Sequence, residues 1–109
     1  MKTRRKPAAT RRRKRAPERA RVLALDEQCT IARAGEVRSR LVRLLEHAAP
    51  VTIDAGRVER VDTACLQLLT AFVRDRRSAG REVTWRAPTA AFLESVTLLG
   101  LGSLLGTSA

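Results

Sequence analysis

The chain has 109 residues, room for one small domain and a tail, and its formal charge of +11 is unevenly spread: residues 1–21 hold eleven Lys or Arg against one acid, Glu18, whereas the remainder holds eleven Arg against ten acids. The only lysines are Lys2, Lys6 and Lys14, the only histidine is His47 and the only cysteines are Cys29 and Cys65. The part after the tail therefore has no Walker A phosphate loop, no Schiff-base lysine and no structural zinc site of Cys and His. With three aromatic residues, Phe72, Trp85 and Phe92, a surface that stacks nucleic-acid bases is poorly supplied.

Residues 1–21 show no apolar period and combine Pro7 and Pro17 with dense like charge, so this basic tail is expected to stay disordered. It reads either as an electrostatic arm for nucleic acid or anionic lipid, or as a plain solvated tail. From Val22 the pattern changes, and residues 22–109 read as the folded domain. Val22 to Leu25 is a short apolar run ended by Asp26 and Glu27, which predicts a buried strand and a turn. Thr30 offers an N-cap to a helix with apolar positions at Ile31, Ala34, Val37, Leu41, Leu44, Leu45 and Ala48, closed by Pro50.

Val51 to Asp54 follows as a second strand, Ala55 to Arg57 reads as a loop, and Val58 and Val61 bracket Glu59 and Arg60 on the way to Asp62. A second helix is predicted from about Thr63 to Ala79, with Leu66, Leu69 and Val73 on one stripe, Leu68 and Phe72 beside it, and Gly80 as its left-handed end. Glu82 to Arg86 alternates, placing Val83 and Trp85 on one face of a half-buried strand. Pro88 or Thr89 opens a third helix through Phe92, Leu93, Val96 and Leu99, with Gly100 at its end and Leu101, Leu104 and Leu105 as a closing apolar segment. Strand and helix in alternation predict an α/β domain with helices laid on a sheet. A core this small is expected to be completed by a partner or by a second copy, as in a homodimer.

No run is long and apolar enough for a secretory signal or a membrane span: Val22 to Leu25 stops at Asp26, and Glu94 interrupts the longest C-terminal candidate. A cytoplasmic protein with reduced thiols, no metal and no cofactor is the expectation.

The stretch VTIDAGRVERVDTACLQLLTAF, residues 51–72, carries the chemistry. Asp62 sits where an N-cap belongs and Thr63 takes the first helical position, near free amides that favour negative charge. A hydroxyl there suits contact with a partner or acceptance of a phosphate, against the plainer view of an ordinary helix start. Asp54, Ala64, Cys65 and Gln67 flank it as candidates for a partner surface. Asp54 at a strand end has no lysine nearby for receiver-type phosphoryl chemistry, so a structural or rim role fits it better. Cys65 in the first turn reads as a thiol of lowered pKa or as a small, partly buried one.

The run V-x-R-V-D-T-A-x-L-x-L-L, Val58 to Leu69, with Ala79-Gly80, the strand Val83 to Trp85 and the closing Leu98-Leu99-Gly100-Leu101, resembles the STAS domain. The likeness covers about Val22 to Leu105. It implies a STAS-like small mixed sheet of about three to four strands, with three helices packed on it, and a non-catalytic module that binds proteins. Such domains are anti-sigma-factor antagonists, accessory subunits of a phospholipid ABC transporter, or neighbours of chemotaxis genes. The implied partners are an anti-sigma or serine-kinase-like protein, an ABC transporter ATPase or a chemotaxis protein. In the antagonists the Ser or Thr after the Asp is phosphorylated by a partner kinase, which breaks binding; by position that residue is Thr63, supported by Asp62. Ala64 and Cys65 stand where antagonists usually carry Gly.

Overall fold

The computed structural model describes residues 20–107; the readings placed on residues 1–19 lie outside them. Three four-residue strands, β1 (Arg21–Ala24), β3 (Val51–Asp54) and β5 (Val83–Arg86), form a sheet in the order β1-β3-β5. Every pairing in it is parallel, with Leu23, Ile53 and Trp85 in one cross-strand row. Helix α1 (Ala34–Leu44), entered through a 3-10 turn at Ile31–Arg33, crosses from β1 to β3, and α2 (Thr63–Ser78) crosses from β3 to β5. Two right-handed crossovers that step the same way across a sheet place both helices on one face, where α1 and α2 pack together. Helices α3 (Ala90–Leu98) and α4 (Gly102–Leu105) complete the layer, α4 against α2.

The sheet is parallel yet one-sided, and the side chains show why it holds. Parallel sheets are usually covered on both faces and read as continuous apolar runs. Here Leu23, Val51, Ile53 and Val83 point into the core, while the far face carries Thr52, hydrogen-bonded at 2.9 Å to Thr84, and Asp54, paired at 2.9 Å with Arg86. Polar cross-strand pairs let that face meet water, which is the source of the alternation in β5. The expectation of a mixed sheet needs an antiparallel strand, and none is present among the described residues.

A second sheet stands where the sequence predicts no strand: β2 (Gln28–Cys29) and β4 (Arg60–Val61) pair in parallel. Two-residue strands are too short to show a period. Their pairing depends on the Glu27 carbonyl, which accepts both the Glu59 and Arg60 amides.

The first helix also differs at both ends. The Thr30 side chain caps nothing, and the helix stops at Leu44, not near Ala48. The stop has a physical cause in Arg76, a residue that the apolar stripe of α2 carries into the core. Its Nη1 donates to the Leu44 and His47 carbonyls at 3.0 and 2.7 Å, and its Nη2 to those of Ala49 and Glu82 at 3.0 and 2.9 Å. A helix leaves its last carbonyls unpaired and its C-terminus partially negative, so a guanidinium there satisfies both demands. The same side chain thereby fixes the chain's entry into β3 and β5. Burial lowers the Arg76 pKa, with Arg81 adding repulsion.

The other helices end and begin as the sequence indicates. Gly80 is left-handed at φ 74°, with Arg81 N donating to Arg76 O and Gly80 N to Arg77 O, a closed two-bond helix end. Thr89 is the cap of α3: its hydroxyl accepts the Phe92 amide at 3.1 Å and donates to the Val58 carbonyl at 2.7 Å. Trp85 is an anchor, its ring 5.2 Å from Phe92 and its Nε1 donating to Leu105 O at 2.7 Å. Ile31 and Leu99, expected on core stripes, are 71% and 46% exposed.

Candidate functional site at the start of helix α2

The site is built by the small second sheet. Because Cys29 lies beside Val61 in the β2–β4 pairing, the two chains leave the sheet side by side, one into Ile31 and the other into Asp62. Asp62 N donates to Cys29 O at 3.1 Å, which holds the carboxylate between two helix starts. Its Oδ1 accepts the Cys65 amide at 3.1 Å and its Oδ2 accepts the Ile31 amide at 2.6 Å. The first bond is the expected N-cap of α2. The second supplies the cap that Thr30 does not.

Thr63 follows at the first position of α2 and is exposed. The Leu66 amide goes to Asp62 O and the Cys65 amide to Asp62 Oδ1, whereas the amides of Thr63 and Ala64 take no partner among the described residues. Gln67 is exposed one turn further on, the same face of the helix, and Ala64 is half-buried. A groove of about 260 Å³ runs from Val61, Asp62 and Thr63 across to Ser95, Leu98 and Leu99 at the end of α3. Leu98 is 81% exposed. With Leu99 it rims the Thr63 hydroxyl with apolar side chains held out to solvent, the make-up of a surface that another protein covers.

Cys65 does not belong to that surface. Its side chain is fully buried, as is that of Cys29. The helix rotation that exposes Thr63 and Gln67 turns position 65 inward. A lowered pKa is likewise corrected: burial raises the Cys65 thiol, and Cys29 is pushed up to about 12, first by burial and then by the neighbouring Cys65. Asp54 stands at the end of β3 with its carboxylate committed to its own neighbourhood. Its Oδ1 accepts the Gly56 amide at 2.9 Å and its Oδ2 meets Arg86. Those two bonds hold its pKa below the usual carboxylate range, the Gly56 amide first. Asp54 thus braces the turn after β3.

A family model described as "Mlab, STAS domain" matches residues 13–106. The chain belongs to the STAS domain family. The match starts at residue 13, inside the basic segment. Among solved structures the fold is similar to that of a sulfate transporter family protein from Wolinella succinogenes, with a TM-score of 0.68 at 14% identity over 81% of this chain and 72% of that one. That likeness bears on the fold: a small α/β STAS domain with a parallel sheet and four helices. A search of curated proteins finds no match. STAS domains are in general modules that bind proteins without catalysis, and no helix among the described residues is long and apolar enough to cross a membrane.

Two features of the site escape sequence reasoning. Leu99 in the apolar rim reads in sequence as core, because periodicity marks apolar positions without saying which of them a neighbour covers. The second bond of Asp62 joins positions 31 residues apart, and no local pattern announces it.

Proposed function

We propose that this STAS domain is a partner-switching protein module whose docking surface is centred on Thr63, with Thr63 as the phosphoacceptor. The observation that carries the reading is the exposed Thr63 hydroxyl, set beside two free helix amides and rimmed by the exposed side chains of Leu98 and Leu99. Unmodified, the surface receives an anti-sigma or serine-kinase-like protein, the apolar rim supplying buried area and Thr63 and Gln67 supplying polar contacts. A phosphate on the Thr63 oxygen adds about 1.5 to 2 negative charges at the contact. The free amides accept that charge, so modification leaves the fold intact and acts by repulsion and bulk at the interface. A chemotaxis protein is a partner of the same kind.

A second reading follows from the description of the matching family model. In it the same surface docks permanently on the ATPase of a phospholipid ABC transporter and Thr63 is never modified. Ala64 and Cys65, where antagonists usually have Gly, favour this version.

Affinity purification from the native cell, with mass spectrometry of the captured partner and of Thr63, supplies the binding assay. Thr63→Glu is expected to weaken that partner at least about tenfold, the size of effect that a residue at an interface centre produces, while unfolding barely shifts. Thr63→Ala separates the readings: in a switch it binds and ignores the kinase, and in a permanent dock that uses the hydroxyl it loses binding as Glu does. Unchanged affinity in both variants overturns the Thr63 surface.

A further inference from the structure

Helices α1 and α2 meet along a groove on their outer side. Both return against the direction of the parallel strands, so they run side by side the same way. Asp62 holds their starts together through the Ile31 and Cys65 amides, and Arg76 holds their ends together through the Leu44 carbonyl. The groove has a volume of about 280 Å³, with Val42 and Leu45 on the α1 wall, Leu68 and Ala71 on the α2 wall, and Arg38 and Asp75 also lining it. The parallel course of the helices sets Arg38 toward the shared start, on α1, and Asp75 diagonally across from it toward the shared end, on α2.

This groove is not the Thr63 surface. With about 100° between successive residues, Leu68, Ala71 and Asp75 lie about 80–140° round α2 from Thr63, whereas Gln67 lies within about 40° of it.

Val42 is 56% exposed, and Leu45, Leu68 and Ala71 are half-buried. Apolar side chains gathered along one groove and open to water mark a surface that is covered in use. The two charges show what kind of partner fits. Arg38 is exposed, and the Asp75 side chain is 50% exposed. Asp75 Oδ1 accepts from Arg74 Nε at 3.3 Å, a surface bond between adjacent residues, and a carboxylate has capacity for several more. One cation and one anion at opposite corners of an apolar strip make a surface complementary to itself. A two-fold axis in the plane of contact, at right angles to the line from Arg38 to Asp75, brings each Arg38 over the partner's Asp75 and lays the apolar strips together.

We propose that this groove is the contact face of a symmetric homodimer, with a second copy of this chain as its occupant. The dimer leaves both Thr63 surfaces outside the contact and does not depend on their role. Helices of 11 and 16 residues are about 16 and 24 Å long, and side by side they present a strip about 20 Å wide. Such a face buries less than the roughly 800 Å² per partner of a standard interface, so the dimer is weak and its population depends on concentration.

Sedimentation equilibrium of the full-length chain tests this, from about 10 μM to about 0.5 mM, in about 0.3 M NaCl to screen the repulsion between chains of charge +11. The mass is expected to rise with concentration from 12.0 kDa toward twice that value. Val42→Glu, at an exposed position, should weaken association at least about tenfold with thermal unfolding unchanged. Arg38→Asp and Asp75→Arg, each alone, set like charges opposite one another and should each weaken association several-fold, and the two together should restore it. The single variants move the net charge in opposite directions, so a general charge effect would strengthen association in one and weaken it in the other. A chain that stays monomeric throughout overturns the proposal, whether residues 1–19 or a different protein then covers the groove. Association that Val42→Glu leaves unchanged, or that the double variant fails to restore, also overturns it, because the copies then meet elsewhere or in another register.

Discussion

Asp62 accepts the amide of Ile31 at 2.6 Å across 31 residues of sequence, and with its other oxygen it accepts the amide of Cys65. One carboxylate therefore starts two helices, α1 by way of its 3-10 turn and α2 directly. The residue just before the candidate phosphoacceptor is also the clamp that holds the Ile31 backbone beside the start of α2. Stability and site geometry are coupled through this side chain.

Asp62→Ala removes both bonds, and loss of a cap of this type costs about 0.5–2 kcal/mol for one helix alone. The variant is expected to fall at or above the upper end of that range in chemical denaturation. Asp62→Asn, which retains one acceptor oxygen, should recover part of it. Thr30→Ala should stay within about 0.5 kcal/mol, because the Thr30 side chain caps nothing. Equal losses at 62 and 30 would contradict the assignment of the cap.

Arg76 is a cation in the core with backbone carbonyls as its partners, a ring contact with Phe72 at 5.9 Å and, among the described residues, no acid paired with it. Replacing it removes the guanidinium donor from the carbonyls of Leu44, His47, Ala49 and Glu82, of which Leu44 O keeps the His47 amide and Glu82 O the Val51 amide, and a carbonyl left unsatisfied costs about 1–3 kcal/mol. Arg76→Met is expected to lower stability by about 3 kcal/mol or more, and Arg76→Lys to rescue it poorly, since an ammonium cannot reach both groups of carbonyls from one nitrogen. Urea unfolding of the two variants measures this. A near-neutral Arg76→Met would show that the carbonyls find other partners.

Alkaline pH offers a clean probe of the two buried thiols, because the sequence from Val22 onward contains neither Lys nor Tyr. Cys29 is pushed up to about 12 and Cys65 is also raised, whereas an unfolded thiol titrates near about 8.5. A pKa raised in the folded state means that the contribution to stability is complete below the unfolded value and is lost as pH climbs toward the folded one. The thermal midpoint, measured with a reductant present, is therefore expected to fall progressively above about pH 8.5. In the double variant Cys29→Ala with Cys65→Ala the fall should be much shallower. An identical slope in both proteins would place the alkaline transition elsewhere.

Composition and periodicity determined the class of this protein and the position of its main elements. Thr63 at a helix start, Gly80 at a helix end and Val83 with Trp85 facing inward are local facts, written by capping chemistry, by the left-handed freedom of glycine and by a two-residue alternation. The tertiary structure decided what depends on partners distant in sequence. It turned Cys65 into the core and Leu99 and Ile31 out of it, because burial of an apolar side chain depends on which neighbour arrives. It ended α1 at Leu44, because Arg76, thirty-two residues on, claims the Leu44 carbonyl. It also paired β2 with β4, since strands of two residues take their order from each other and from the Glu27 carbonyl.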